Sequence, residues 1–316
     1  MRIRSQETIG ELFIFSQVAI YGLYPVVINH SSKLMPPILF AGLSILLASI
    51  FFFFVVALQK NFHRIFKWSS LKYILLVTLF IVVVPSIFIF TGTSMTSGVN
   101  TTILFQTEVV FTFLFVGIFS RSEKITTRRL IGAAIVLMGT ATILYNGSFD
   151  LNLGDILIIT GVAFYPFGNM AAKKALQLAP PTVILFVRSV LGGLTLVCFS
   201  LVFENSFSLV LPSVRSYFPL IILNGIVIMF FSKILWYEGL KRIDLTKAVP
   251  IDMSFPAFSL LFLFLFTREV PTIYQWIGLI LTLVGVGFVA YKSPPKFLER
   301  IIAVFVRKKD VIPPFE

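Results

Sequence analysis

The sequence predicts an all-α integral membrane protein whose ten transmembrane helices form two inverted-topology repeats of five. Three observations predict this class: the composition, the alternation of basic residues between connections, and an internal repeat. Of the 316 residues, 57% are hydrophobic and only 13% are charged, whereas soluble domains contain about 25% charged residues. A membrane-spanning helix needs about 20 mostly apolar residues, and such segments follow one another along almost the whole chain.

Windows of this length predict ten spans, and the connections between them are too short to hold a soluble domain. The spans are expected near residues 9–28, 35–58, 71–91, 96–118, 128–146, 154–172, 181–203, 216–238, 246–266 and 271–291.

Most of the 26 lysines and arginines fall in alternate connections, and only Lys33, Arg215 and Arg268 lie in the connections of the opposite side. Basic residues collect in cytoplasmic loops. We therefore expect a multi-pass protein of the cell (inner) membrane with both termini in the cytoplasm. The same rule accounts for the net charge of +12 without a nucleic-acid partner.

An offset of 146 residues aligns the second half of the chain with the first. "SEKITTRRLIGAAIVLMG" (122–139) then falls on "REVPTIYQWIGLILTLVG" (268–285), which pairs Glu123 with Glu269. Both glutamates follow a span end and are expected to fix the turn into the next helix. Because each half holds five spans, an odd number, the second half must enter the membrane upside down, with any ligand site near the midplane between the halves.

These patterns predict a first repeat at residues 1–148, a second, inverted repeat at 149–292, and a basic cytoplasmic tail at 293–316. The tail alternates apolar and basic residues, which suits a surface helix on anionic lipid or a solvated tail.

The close of the second half, "YEGLKRIDLTKAVPIDMSFPAFSLLFLFLFTREVPTIYQWIGLILTLVGV", resembles the drug/metabolite transporter superfamily and its EamA-like family. The matching features are a small residue and Leu, a span with the central Pro256, then Glu269, and a glycine-bearing last span. The resemblance covers essentially residues 8–291. The first half departs from it, since Val110 stands where the second half has Pro256, and Gly42 where it has Arg188.

The resemblance implies a secondary active transporter that moves a small metabolite, such as an amino acid or a related solute, by alternating access through a midplane cavity. Export is the expected direction. Two alternatives stay open: a non-transporting membrane receptor or assembly factor on the same fold, and an exporter of lipophilic drugs.

Glu108, in "FQTEVVF", is the deepest charged residue of the predicted spans. A charge at the bilayer centre costs at least about 2.5–3.5 kcal/mol, so such residues usually face a cavity or a partner. Glu108 is therefore a candidate for proton coupling or for binding a substrate amine. A structural role, in a hydrogen bond to a neighbouring helix or a salt bridge to Arg188, is the alternative.

Three further charged residues lie within spans. Arg188 could bind a carboxylate or phosphate, pair with Glu108 or Asp252, or extend to the interface. Lys233 could face the cavity or belong to an interfacial belt. Asp252 lies between Pro250 and Pro256, where a proline kink would open the helix toward the cavity.

The remaining candidate site residues are uncharged. Asn100 shares a predicted helix face with Glu108, Trp236 follows Lys233, and Tyr21, Asn224 and Asn169 are expected to line the cavity or to form interhelical hydrogen bonds.

No cofactor, metal site or enzymatic activity is expected. Cys198 is the only cysteine, both histidines (His30 and His63) lie in predicted connections, and there is no H-E-x-x-H sequence. The expected partners are a small-molecule substrate and the lipid bilayer, with protons as a candidate coupling ion. The chain is expected to be a monomer or a homodimer.

Overall fold

In a computed structural model, the chain is described over residues 2–62, 68–119, 127–145, 152–243, 251–252 and 254–290. All regular secondary structure in these ranges is helical, as the sequence predicts. In chain order the α-helices are α1 (Arg2–Tyr21), α2 (Leu23–Ser31), α3 (Pro37–Leu58), α4 (Trp68–Val77), α5 (Val84–Ser94), α6 (Gly98–Leu104), α7 (Glu108–Phe119), α8 (Thr127–Tyr145), α9 (Leu153–Val162), α10 (Tyr165–Leu178), α11 (Pro181–Phe203), α12 (Val210–Ile222), α13 (Lys233–Leu240), α14 (Phe255–Thr267) and α15 (Ile273–Ala290).

Six continuous helical segments in the described ranges are long and apolar enough to cross a membrane, which makes the chain a multi-pass membrane protein. They are Gln6–Ser31, Pro37–Leu58, Trp68–Ser94, Leu153–Leu178, Pro181–Phe203 and Ser206–Leu240. Shorter apolar helices cover Ile131–Ile143, Phe255–Thr267 and Ile273–Phe288.

The structure differs from the predicted segments at His30, which was expected in a connection and lies in the last turn of α2, because the first helical segment continues to Ser31; His63 lies outside the described residues. In the ninth predicted segment, 246–266, residues 251–252 are helical and α14 begins at Phe255 with Pro256 in its first turn. A proline in the first turn of a helix costs no backbone hydrogen bond. Residues 244–250 and 253 lie outside the described residues, so the start at residue 246 and the kink between the two prolines stay predictions.

Helices α3 and α11 begin in the same way and pack against each other. Each starts with a proline that follows a second proline, at Pro36–Pro37 and Pro180–Pro181. The ring fixes φ for the first helical residue, and the preceding residue is held in an extended conformation. This pair positions Arg188, which lies on α11, within the bundle.

Two π-helical segments, Thr78–Val83 between α4 and α5 and Leu223–Ser232 between α12 and α13, occupy corresponding positions at the 146-residue offset. Both border the same internal cavity, the first through Ile81 and Val82 and the second through Met229. π-Helical turns are rare and are frequently found at functional sites. The position of both π-helical segments at the cavity therefore suggests that this region is the functional site.

Helices α8 and α15 pack along each other. A Cβ atom added to Gly139 would lie 2.8 Å from the carbonyl oxygen of Gly278, and the reverse distance is also 2.8 Å. Glycine is therefore required on both helices for their backbones to approach this closely. None of the cavity-lining residues comes from this pair.

Candidate functional site

The bundle encloses a cavity of about 220 Å³ that is lined by residues of both halves of the chain. It extends to the end of the bundle where α10 and α13 finish, since Leu176 and Leu240 belong to its wall. Pockets for drug-sized ligands are usually about 300–1,000 Å³. The size of this cavity therefore suits a small solute.

Glu108 is the first residue of α7 and lines the cavity. Its Oε1 accepts a hydrogen bond of 3.0 Å from the amide Nδ2 of Asn169 on α10. Asn169, also expected along the cavity, lines it as well. Helices from the two halves of the chain thus meet at this hydrogen bond.

Arg188 lies on the cavity wall and is only 5% exposed. Its Nη1 donates a hydrogen bond of 3.3 Å to the hydroxyl of Tyr237, and the guanidinium carbon lies 5.3 Å from the centre of the tyrosine ring. Within the described ranges, Arg188 forms no ion pair with Glu108 or Asp252. The salt bridge considered from the sequence is therefore absent from this arrangement.

Lys233, the first residue of α13, lies on the cavity wall and not in an interfacial belt. Its Nζ lies 4.0 Å from the centre of the Tyr21 ring, a cation–π contact. Tyr21 is stacked on Tyr24, with ring centres 5.0 Å apart. The aromatic pair holds the ammonium group beside the cavity that Glu108 and Asp252 also line.

Asp252 lies in the short helical stretch 251–252 and lines the cavity. Its Oδ1 atom is buried without a hydrogen-bond partner in the described structure, and Gln17 of α1 lines the same cavity. Pro250, to which the sequence analysis attached a kink, lies outside the described residues.

Seven of the nine candidate residues named from the sequence therefore line one cavity: Glu108, Arg188, Asp252, Lys233, Tyr21, Trp236 and Asn169. Asn224 does not line it. Its side chain is fully buried in the helical core, and neither amide atom has a partner among the described residues.

Asn100 also lies away from the cavity, in a polar cluster near the end of the bundle opposite to Leu176 and Leu240. Its Nδ2 lies 3.3 Å from both carboxylate oxygens of Asp155, and its Oδ1 accepts a hydrogen bond of 2.7 Å from Nε2 of Gln275.

The same polar cluster joins two more helices, α2 and α5. Thr96 donates to Asp155 at 2.5 Å, and the Nδ2 of Asn29 donates to the carbonyl oxygens of Thr93 and Thr96, both at 2.9 Å. Lys33 donates to Asn29 at 3.0 Å. At this end of the bundle, the cluster links helices that are distant in sequence through hydrogen bonds.

Sequence reasoning missed Tyr165 and Tyr237, which line the cavity, and Asp155, which organises the polar cluster. Tyr237 was missed because it lies next to Trp236, and two adjacent aromatic residues near the end of a span are typical of an interfacial aromatic belt. Asp155 is a carboxylate in the first turn of α9, a signal that the search for charges deep within spans did not include.

An all-helical membrane bundle around a small internal cavity with charged walls is the architecture of a membrane transporter. The sequence profile of the EamA-like transporter family matches residues 8–145 and again residues 152–291. The chain belongs to the EamA-like transporter family, within the drug/metabolite transporter superfamily, and thus to a family of transporters and not of enzymes.

Relatives named as transporters and as efflux pumps agree with this membership. The chain is 25% identical over 278 residues to an "Uncharacterized transporter" of Archaeoglobus fulgidus, covering 87% of this chain and 96% of the relative. It is 25% identical over 282 residues to a protein of Escherichia coli (strain K12) named "Probable amino-acid metabolite efflux pump", covering 85% and 90%.

A crystal structure of another protein has the same fold, with a TM-score of 0.67, 17% sequence identity and coverage of 93% of this chain and 98% of the other.

Proposed function

We propose that the chain is a secondary active transporter that exports a small, amino-acid-like metabolite by alternating access. One observation carries this proposal. Four ionisable side chains (Glu108, Arg188, Lys233 and Asp252) line a single small cavity that extends to one end of the bundle, while a polar cluster closes the other end. Charged residues inside a membrane bundle usually mark a substrate or ion pathway.

The proposed architecture is that of ten spans in two inverted repeats, at residues 1–148 and 149–292, with a cytoplasmic tail at 293–316. Three observations support this architecture. Every predicted segment contains helix in its described part, the family profile matches each half of the chain, and the two π-helical segments lie at equivalent positions of the two halves. Both termini would lie in the cytoplasm of the cell (inner) membrane, so the cavity of this structure would open inward, at Leu176 and Leu240.

The chemistry of the cavity favours a zwitterionic solute. Two acidic side chains (Glu108 and Asp252) and three basic ones (Arg188, Lys233 and the exposed Lys173) line it, which provides partners for an amine and a carboxylate together. A cavity of about 220 Å³ favours such a solute over a lipophilic drug, whose site would be larger and mostly apolar. The names of two efflux-pump relatives support the same class.

In this mechanism Glu108 is the proton-coupling residue. It is the acid held by Asn169 between the two halves of the chain, so its protonation would change a contact between helices that must move. Asp252 and Lys233 would set the charge of the cavity, and Tyr21 and Trp236 would enclose the apolar part of the substrate.

Thermal unfolding of the purified protein tests this proposal, with amino acids, nucleosides and cationic drugs at about pH 5.5 and about pH 7.5. A ligand at about 100 times its Kd stabilises the native state by about 2.7 kcal/mol. We expect a pH-dependent increase of the unfolding temperature with amino acids, lost in Glu108→Gln and kept in the control Glu238→Gln, whose side chain pairs with Arg242 outside the cavity lining.

A shift that survives in Glu108→Gln would keep the transporter and remove the glutamate from the coupling mechanism. Absence of a shift with any compound would favour a receptor or assembly factor on the same fold.

A further inference from the structure

Arg188 is a buried cation whose hydrogen-bonding capacity is largely unused in this structure. The side chain is 5% exposed, its Nε atom is buried without a partner among the described residues, and its hydrogen bond to Tyr237 is long, at 3.3 Å. A guanidinium group carries five N–H donors in one plane. An uncompensated charge in a membrane interior is costly. N–H donors of Arg188 that have no partner beside a cavity therefore indicate a ligand that accepts hydrogen bonds from them.

The two carboxylates of the cavity do not fill this role. Glu108 is engaged by Asn169, and neither Glu108 nor Asp252 forms an ion pair or a hydrogen bond with Arg188 in the described part of the chain. Lys233 lies against the ring of Tyr21 and adds a second positive charge to the same cavity. The charge near Arg188 therefore favours an anion.

Tyr237 fixes the orientation of the guanidinium. The tyrosine is 2% exposed, so its own position is set by packing. Its hydroxyl accepts the hydrogen bond from Nη1, and its ring lies beside the guanidinium carbon at 5.3 Å. A guanidinium held in this way can present a pair of parallel N–H donors, the arrangement that binds a carboxylate or a phosphate with two hydrogen bonds.

We propose that Arg188, oriented by Tyr237, binds an oxyanion group of the transported metabolite, and is thereby the residue that selects substrates with a carboxylate or a phosphate. The proposal rests on the transport function proposed above and adds the group of the substrate that is recognised. Glu108 and Asp252 remain available for the amine or for protons. Tyr237 is a positioning residue, because it acts through the guanidinium.

The test compares ligands that differ only in the oxyanion. The purified full-length protein is titrated with each of a panel of amino acids, with the corresponding primary amides, and with phosphoethanolamine and phosphoserine as phosphate probes. Dissociation constants are measured by equilibrium dialysis. The variants are Arg188→Gln, Arg188→Lys and Tyr237→Phe, and Arg242→Gln serves as the matched control, since Arg242 pairs with Glu238 outside the cavity lining.

We expect the wild-type protein to bind at least one oxyanion ligand about tenfold or more tightly than its uncharged analogue, because hydrogen bonds to charged groups contribute strongly. The preference should disappear in Arg188→Gln, be reduced in Arg188→Lys and fall by about threefold in Tyr237→Phe. It should be unchanged in Arg242→Gln. Preference for amino acids over amides assigns a carboxylate, and preference for the phosphate probes alone assigns a phosphate.

Equal binding of acids and amides, together with no preference for the phosphate probes over ethanolamine and serine, would overturn the role of Arg188 and leave the transport function intact. A preference that is undiminished in both Arg188→Lys and Tyr237→Phe would also overturn it, and these two variants preserve the test if Arg188→Gln does not fold. Binding of no ligand at all would overturn both the proposed substrate class and this inference.

Discussion

The carboxylate of Glu269, just after α14, accepts a hydrogen bond of 3.0 Å from the backbone N–H of Val99 in the first turn of α6. Its second oxygen accepts one of 3.2 Å from the N–H of Gly98. The sequence predicted that Glu269 fixes the turn into its own following helix. The structure instead shows it capping a helix 170 residues away in the chain, where a negative charge also interacts favourably with the helix dipole.

Glu269→Gln is expected to lower the free energy of unfolding by about 1 kcal/mol, because the amide keeps one acceptor oxygen but loses the charge and the second acceptor. The control is Glu238→Gln, which removes a partly exposed i,i+4 ion pair with Arg242 and should cost no more than about 0.5 kcal/mol. Thermal unfolding of both purified variants measures the difference. An equal loss of stability in the two would contradict the capping role.

The polar cluster around Asp155 should keep one end of the cavity closed. The test uses the variant Cys198→Ser, which removes the exposed native cysteine, and adds Ser189→Cys at a position that lines the cavity. The introduced cysteine is expected to react with a small charged methanethiosulfonate applied at the side of Leu176 and Leu240. It should not react from the opposite side. Mass spectrometry after labelling of sealed vesicles of known orientation measures the reaction.

Asp155→Asn weakens the charge-assisted hydrogen bonds from Thr96 and Asn100. We therefore expect faster labelling of the same cysteine from the closed side. The control is a cysteine at Leu178, an exposed position at the end of α10 and on the side of Leu176. Absence of its labelling from the closed side shows that the reagent does not cross the vesicle membrane. Labelling of the Ser189 cysteine from the closed side at the same rate with and without Asp155 would show that the cluster is not a barrier.

The contact between α8 and α15 should tolerate no side chain at Gly278. A Cβ there would lie 2.8 Å from the carbonyl oxygen of Gly139, so Gly278→Val is expected to destabilise the protein by about 1–3 kcal/mol through overpacking. Gly287 lies on the same helix with no atom within 4 Å of an added Cβ. Gly287→Ala should leave the unfolding temperature unchanged or raise it, and the contrast between the two variants checks the packing in a single unfolding series.

Lys233→Met should change the preference of the cavity for charge while keeping the length of the side chain. Removal of the ammonium leaves Glu108 and Asp252 with Arg188 and the exposed Lys173 on the cavity wall, so anionic ligands should bind less tightly and organic amines more tightly. We expect the ratio of the two dissociation constants to shift by about tenfold. Lys173→Met, at an exposed position on the cavity wall, should shift it less, because solvent screens its charge.

An unchanged ratio in Lys233→Met would place the Lys233 charge outside the ligand-binding region. The measurement is a competition between a carboxylic acid and the amine of the same carbon skeleton, monitored by equilibrium dialysis of the purified variants.

The sequence predicted the class of protein, a helical membrane protein, more completely than it predicted which residues line the cavity. Asn100 and Glu108 were expected on one helix face because residues eight apart share a face in a continuous α-helix. The structure places a 3₁₀ turn, Phe105–Thr107, between them. Three residues at about 3.0 per turn advance roughly 60° further than in an α-helix. Asn100 therefore belongs to the polar cluster, whereas Glu108 lines the cavity.

The sequence alone determined that the protein is a helical membrane protein of the EamA-like family, and it located α11 at residues 181–203 as the structure has it. The physical reason is local: the bilayer requires long apolar segments with internally satisfied backbones, and the Pro180–Pro181 pair sets where this one begins. Charge partners depend on contacts between helices distant in the chain. Only the tertiary structure decided that Glu108 lies against Asn169 and Arg188 against Tyr237, because no spacing within one helix fixes which neighbour its charged side chain meets.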